Sequence, residues 1–235
     1  MDSAGYIAVS RQSGLTRELQ LVANNIANIS TTGFRREGIV FAEHVSALRA
    51  GPSLSQAHAN GRMIDLSQAG LSQTGGTFDL AIQGEGFFLM ATPMGDRLTR
   101  AGQFTPSVEG ALLSPDGFSL LDAGGAPVFV PPNAQITIGQ DGTLSADGIA
   151  VTDIALWRPT DKNALRHEAG TLFSAAELEP VENPVMLQGF LEDSNVNPVL
   201  EIARLIEVQR AYEAGQKFLD AEDNRSRNVI QTLGR

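Results

Sequence analysis

The sequence predicts an α+β fold in which long N- and C-terminal helices of the coiled-coil type flank a central all-β domain. Apolar residues recur at heptad spacing at both ends, short alternating runs fill the middle, and Asp-Gly and Gly-Gly turn signals separate those runs. The predicted domains are a helical domain over residues 1–33 and 195–235, an extended connector over 34–69 and the β domain over 70–194.

The first element is a predicted helix from residue 3 to about residue 29. Leu15, Leu19, Val22 and Ile26 follow one another at spacings of 4, 3 and 4, which is the a/d rhythm of a coiled-coil seam. An amphipathic helix that covers its own domain is the alternative. The polar stretch NNIANISTTGFRRE, residues 24–37, follows at the helix end and leaves open a catalytic loop, a linker or an assembly surface.

The middle of the chain changes from helical to alternating periodicity. Residues 34–69 include polar runs such as SLSQAHANG and have no steady period, so they predict a connector. Beyond them, Ile136-Thr137-Ile138 and Leu144-Ser145 flank GQDGT, which predicts a hairpin that turns at Asp141-Gly142. Many short strands with regular turn signals indicate an all-β sandwich or barrel-like domain.

The last element is a predicted helix from about Val199 to Leu233. Asn197 is a good N-cap, and Pro198 suits the first helical position. The predicted stripe contains Ile202, Leu205, Tyr212 and Leu219, with polar interruptions at heptad positions that include Gln209. Gly215 departs from the expected helix formers and would allow either the close approach of a neighbouring helix or a slight bend.

Composition excludes several classes of function. The chain has no Cys, so it contains neither disulfides nor a Cys nucleophile, and a formal net charge of −10 argues against nucleic-acid binding. No apolar run approaches membrane-spanning length, and the N-terminus is not a conventional secretory signal. The sequence proposes no metal site, cofactor or catalytic constellation, so we expect a non-enzymatic protein. A secreted β-domain protein that binds a ligand is the alternative.

Three motifs, one at each end of the chain and one in the middle, indicate a family. LVANNIANISTTGF, residues 21–34, and SNVNPVLEIARLIEVQRAYEAGQKF, residues 194–218, resemble the N-terminal and C-terminal signatures of the flagellar rod and hook family. GTFDLAIQGEGFF, residues 76–88, and LTRAGQFTPSVEGALLSPDG, residues 98–117, resemble the β core of rod members. The chain length and the opening RQSGLTRELQLVANNIAN are most similar to proximal rod members; a distal rod protein is the alternative.

The resemblance implies a structural subunit of the proximal rod that stacks helically and transmits torque across the periplasmic space. It implies contacts with copies of itself and with other rod proteins, and passage through the flagellar type III export apparatus without a cleaved signal peptide. The predicted assembly interface consists of Leu15, Leu19, Val22, Asn24, Asn25, Ile26, Asn28, Thr32, Gly33, Phe34, Asn195, Asn197, Ile202, Leu205, Gln209, Tyr212 and Leu219.

Overall fold

The computed structural model describes residues 3–46 and 54–233. In chain order, a helix at each end flanks a β-rich region, which confirms the predicted α+β class. The described residues form two compact units. One contains residues 3–27, 37–46, 54–63 and 197–233, and the other contains residues 28–36 and 64–196. Residues 28–33 and 195–196, which we expected beside the helices, therefore belong to the β-rich unit.

The helical unit contains α1 (Ser3–Ala27), α2 (Pro198–Leu233), β1 (Glu37–Ser46) and most of β2 (Leu54–Ile64). The start of α2 matches its sequence signals. The Asn197 side chain accepts hydrogen bonds from the backbone N–H groups of Val199 at 3.0 Å and Leu200 at 3.2 Å, and its carbonyl accepts from Glu201 N at 3.0 Å. This is N-cap geometry, with Pro198 at the first helical position.

The segment expected to be an extended connector differs most from the prediction. Residues 34–69 contain β1 and β2, which pair with each other as a two-stranded sheet. Backbone N–H and C=O groups hold a strand ladder, and every residue except Pro supplies both. The polar run over residues 54–61 can therefore form a strand without the alternation of apolar residues from which strands are predicted.

The β-rich unit is built from many short strands. Its strands are β3 (Leu71–Gln73), β4 (Leu80–Ile82), β5 (Phe88–Thr92), β6 (Gly95–Thr99), β7 (Thr105–Pro106), β8 (Leu112–Leu113), β9 (Ser119–Leu120), β10 (Ile136–Ile138), β11 (Thr143–Ala146), β12 (Ile149–Asp153), β13 (Trp157–Pro159), β14 (Arg166–His167), β15 (Leu172–Ser174), β16 (Leu178–Pro180), β17 (Met186–Gln188) and β18 (Phe190–Glu192). A single 3-10 turn, Lys162–Ala164, lies between β13 and β14.

One seven-stranded sheet forms the largest layer of this unit, with the order β14-β15-β6-β5-β9-β8-β7. Smaller ladders join β4 to β17, β3 to β18 and β13 to β16, and β10-β11-β12 form a three-stranded sheet. The predicted hairpin is confirmed: β10 and β11 are antiparallel with Ile138 opposite Leu144, and Gly142 takes a φ of 93° in the turn.

Two clusters of buried side chains form the core of the β-rich unit. The larger includes Leu80, Phe88, Met90, Leu112 and Leu144, all fully enclosed. The smaller is centred on Phe173 and includes Phe87 and Leu98. β5 and the residue before it supply both clusters, because successive side chains of an extended chain point to opposite faces. Phe88 and Met90 enter the larger cluster, and Phe87 and Leu89 enter the smaller one.

Candidate assembly site

The two terminal helices pack against each other in opposite directions. The side-chain amide of Gln12 donates to the carbonyl of Tyr212 at 2.9 Å, and Arg204 Nε donates to Glu18 Oε1 at 2.6 Å. Further along α1, Asn25 Nδ2 donates to Glu201 Oε2 at 3.2 Å. The residue numbers of the α2 partners fall as those of the α1 residues rise, so the two helices are antiparallel. Polar contacts at three levels fix their register.

Asn25 also connects α1 to the beginning of β1. Its side chain donates to the carbonyl of Glu37 at 2.8 Å and accepts from Glu37 N at 3.0 Å. The side chain is only 1% exposed, so its amide finds partners inside the chain. Of the predicted α1 residues, Leu15 and Val22 are also buried, whereas Leu19, Asn24 and Ile26 are half-buried.

The stripe of α2 that faces α1 differs from the predicted one at alternate positions. Leu205, Tyr212 and Leu219 are half-buried, as a seam requires, but Ile202 and Gln209 are exposed. Glu201 and Val208, one residue earlier, are buried instead. Both stripes have 4-3 spacing, so periodicity alone could not choose between them. The polar contacts of Glu201 and Arg204 with α1 select the observed stripe.

Gly215 lies on this observed stripe. A Cβ atom there would be 2.8 Å from Gln12 Nε2, within its van der Waals contact distance. The Gln12 side chain is 7% exposed and donates to Tyr212, one turn before Gly215. The glycine therefore makes room for a polar side chain from α1, which explains the departure noted in the sequence.

A face of α2 beside the seam carries a stripe of exposed apolar side chains. Val199, Ile202 and Ile206 are 72%, 50% and 45% exposed. Their spacing of 3 and 4 residues places them on one helix face. We call these three residues the α2 outer stripe. Because large apolar side chains in a contiguous exposed row mark interaction surfaces, this stripe is the candidate assembly surface of the helical unit.

The signature segment after α1 is held inside the β-rich unit. Thr31 donates to Asn28 Oδ1 at 3.0 Å, and Gly33 N donates to the carbonyl of Glu192 at 2.7 Å. Gly33 has a φ of 69°, and a Cβ atom there would be 2.6 Å from the backbone oxygen of Arg100. Phe34 is fully buried, whereas Thr32 is half-buried. The Thr-Thr-Gly-Phe run is thus a packed structural element.

Asn195 joins two other segments of the same unit. Its Oδ1 accepts from Arg36 N at 2.6 Å, and its Nδ2 donates to the carbonyls of Asp65 at 2.9 Å and Ser67 at 3.1 Å. The Asn195 backbone N–H also donates to the carbonyl of Phe34 at 3.3 Å. Asn195 therefore holds the segment that follows β18 against Arg36 and against residues 65–67.

Beside this junction lies a buried cluster of three charged side chains, which we call the Arg–Glu–Arg clasp. Arg35 Nη2 donates to Glu192 Oε1 at 2.8 Å, and Arg100 Nη1 donates to Glu192 Oε2 at 3.2 Å. The side chains of Arg35, Glu192 and Arg100 are 0%, 0% and 3% exposed. The clasp carries a net charge of +1 in a region from which water is excluded.

Neutral groups stabilise the surplus positive charge of the clasp. Arg35 Nη1 donates to the carbonyl of Ser67 at 2.9 Å, Arg100 Nη2 donates to that of Gly84 at 2.6 Å, and Arg100 lies 5.3 Å from the centre of the Phe87 ring. Burial, which outweighs the attraction of Glu192, lowers the pKa of Arg100 to about 10. Arg100 therefore remains charged at neutral pH.

Sequence reasoning did not single out the clasp or the polar contacts between the helices. Arg35 had a local signal, as the basic residue after Thr-Thr-Gly-Phe. Glu192 lies 157 positions from Arg35 along the chain, and Arg204 lies 186 positions from Glu18. No local pattern indicates such pairings, because the tertiary fold alone brings the partners together.

Other kinds of site find no support within the residues that the structure describes. Across 3–46 and 54–233, no group of three or more His, Cys, Asp or Glu side chains is arranged to hold a metal ion. Neither terminal helix, over its described length, is apolar enough to cross a membrane.

Comparison with known proteins accounts for both ends and the middle of the chain. A family profile described as "Flagella basal body rod protein" matches residues 6–35, and one described as "Flagellar hook protein FlgE/F/G D1 domain" matches residues 81–146. A third, "Flagellar basal body rod FlgEFG protein C-terminal", matches residues 187–232.

Full-length relatives decide the family. The "Flagellar basal-body rod protein FlgF" of Caulobacter vibrioides is 39% identical over 100% of this chain and 99% of the relative. That of Mesorhizobium japonicum is 38% identical with the same coverage. The chain belongs to the flagellar basal-body rod protein family. The "Flagellar basal-body rod protein FlgG" of Bacillus subtilis is also similar, at 31% identity over 97% of this chain and 96% of the relative. The resemblance drawn from the sequence motifs is confirmed, and the family is structural rather than enzymatic.

Proposed function

We propose that this protein is a structural subunit of the proximal flagellar rod that assembles by helical stacking and transmits torque across the periplasmic space. The α2 outer stripe carries the proposal: a helix already paired with α1 through one face presents Val199, Ile202 and Ile206 to solvent on a neighbouring face. The full-length similarity to the two FlgF proteins supports the proximal position over the distal alternative.

The pairing of α1 with α2 prepares this surface for assembly. Polar contacts at Gln12, Glu18 and Asn25 fix one register, and polar groups in a helix seam specify register at some cost in stability. In the rod, this pair extends as a coiled coil through contacts with neighbouring chains. A rigid pair loses little conformational entropy on docking, so more of the apolar contact energy remains for association.

The net charge of the chain and the α2 outer stripe both influence how subunits assemble. The formal net charge of −10 keeps free subunits apart, because like charges repel at a distance. A row of apolar residues that contacts a different surface of the next subunit makes a heterologous contact, which builds a helical array when its rotation does not close. The partners are copies of this chain and other rod proteins, and the subunit reaches the periplasm through the type III export apparatus.

The predicted interface residues take two roles in this proposal. Ile202 and Gln209 are exposed on α2 and contact neighbouring subunits. Val22, Asn25 and Phe34 are buried and instead fix the shape that presents those surfaces. The half-buried members of the α1–α2 seam, such as Leu205, contribute to both.

The experiment is complementation of a strain that lacks this gene. Ile202→Glu places a charge in the α2 outer stripe, and we expect loss of swimming with unchanged secretion and unchanged thermal unfolding of the purified subunit. Ala214→Glu is the matched control, since Ala214 is an exposed residue of the same helix outside the stripe. Full swimming by the Ile202→Glu strain would contradict the assigned surface.

A further inference from the structure

A cleft of about 370 Å³ opens on the β-rich unit between five segments of the chain. One wall is the signature segment, through Ser30, Thr31 and Thr32, and the turn between β8 and β9 supplies Asp116. The cleft is within the usual size range of sites that bind small groups, and several distant segments converge on it.

Hydroxyl groups dominate the polar lining of the cleft. They belong to Ser30, Thr31, Thr32, Thr99, Ser114 and Thr171. Some already have a partner: Thr99 Oγ1 donates to Thr171 Oγ1 at 3.3 Å, and Ser114 Oγ accepts from Phe118 N at 3.2 Å. Each hydroxyl oxygen has two lone pairs, so the walls retain acceptor capacity for an N–H donor.

Asp116 is the one charged residue among the described residues that line the cleft, and its side chain is exposed. The lining contains neither a cation nor an aromatic ring, so it disfavours phosphate groups and planar bases. Leu172 and Pro115 add apolar surface. Acceptors, one carboxylate and an apolar strip together match a long side chain with an aliphatic stem and a cationic head.

We propose that this cleft receives an arginine or lysine side chain from a neighbouring rod subunit. The stem lies along Leu172 and Pro115, the N–H groups bond the threonine and serine oxygens, and the charge faces Asp116. The inference rests on the proposed rod function and adds a second contact in the β-rich unit, independent of the α2 outer stripe. It also gives Thr31 and Thr32 of the signature a direct part in assembly.

The absence of Cys from the chain permits a direct test by single-cysteine labelling. Gln103 lines the cleft and is exposed, so Gln103→Cys reacts with a maleimide in the free subunit. Val108→Cys is the control, because Val108 is fully exposed in the same unit and does not line the cleft. Each variant is labelled as purified subunit and in isolated basal bodies, with and without Asp116→Asn.

We expect rods to slow the labelling of Gln103→Cys by about tenfold or more, since a bound side chain excludes the reagent for most of the time. Asp116→Asn should restore most of the lost rate and leave the Val108→Cys rate unchanged. Equal Gln103→Cys rates in free subunits and rods, or slowing that Asp116→Asn does not relieve, would overturn the cleft proposal. Absence of the subunit from the rods would instead overturn the proposed function.

Discussion

Removing the central charge of the Arg–Glu–Arg clasp tests how the β-rich unit is held together. Glu192→Gln keeps the shape of the side chain and removes its charge, so the charges of Arg35 and Arg100 are no longer compensated in a region that is 0–3% exposed. Breaking a buried ion pair by removing one partner costs about 3–5 kcal/mol, because the remaining charge stays buried without its counter-charge. Two guanidinium groups are affected, so we expect the upper half of that range.

The chain contains a matched control for this substitution. Glu179 accepts a hydrogen bond from Arg158 Nε at 2.6 Å, which is shorter than the Arg35–Glu192 contact of 2.8 Å, yet its side chain is 43% exposed. Glu179→Gln should cost about 1 kcal/mol or less, because water screens exposed ion pairs. The predicted difference between the two substitutions therefore arises from burial, since the pair distances are similar.

The single tryptophan provides the assay. Trp157 lies in β13 of the β-rich unit, so its fluorescence during urea unfolding reports on that unit. For a urea m-value of about 2 kcal/mol/M, Glu192→Gln should lower the unfolding midpoint by about 2 M, and Glu179→Gln by less than about 0.5 M. If both variants shift the midpoint equally, the account of the clasp is refuted.

Three further predictions concern glycines and one carboxylate. Gly33→Ala should destabilise the β-rich unit by clearly more than Gly75→Ala in the same urea assay: both glycines have positive φ, but only at Gly33 would the added Cβ meet backbone atoms. Equal losses would contradict the close packing of the signature segment. Gly215→Ala should gain about 1 kcal/mol of helix propensity, but the added methyl group should crowd Gln12. The substitution should therefore stabilise the chain more when Gln12→Ala is also present, which a double-mutant cycle by thermal unfolding measures. Additive effects would show that the two residues are uncoupled. Burial raises the pKa of Asp122, but hydrogen bonds from Ala126, Thr152 and Gly124 outweigh it and leave that pKa below the ordinary value of an aspartate. The charged Asp122 carboxylate therefore stabilises the fold above its pKa in the unfolded chain, and this stabilisation is lost as pH falls through its pKa in the folded chain. The difference in unfolding free energy between the wild type and Asp122→Asn should therefore shrink in acid. A difference that grew in acid would mean that folding raises this pKa.

The helix ends and the hairpin could be predicted because their signals are local. Asn197 caps α2 through the backbone N–H groups of the next turn, and Asp141-Gly142 turns the chain between adjacent strands. The prediction of the α2 seam was right at alternate positions only. Glu201 and Val208 point inward, so Ile202 and Gln209 face solvent. Polar contacts with α1 select this stripe, and the heptad pattern cannot reveal such contacts.

The strands β1 and β2 and the clasp escaped prediction for different physical reasons. A strand ladder uses backbone groups common to nearly all residues, so the polar run over residues 54–60 carried no side-chain signal for it. The clasp depends on Arg35, Arg100 and Glu192 meeting across the fold. Arg and Glu side chains are also almost never fully buried unless they are paired, so nothing in the sequence was a reason to place these three residues in the core.

The most direct test of the rod function is electron microscopy of basal bodies purified from a strain that lacks this gene. The account predicts basal bodies that end in a truncated rod without a hook, and restoration of rod and hook by the wild-type gene. Complete rods, hooks and filaments in the deletion strain would contradict the claim that this chain is a required structural subunit of the rod.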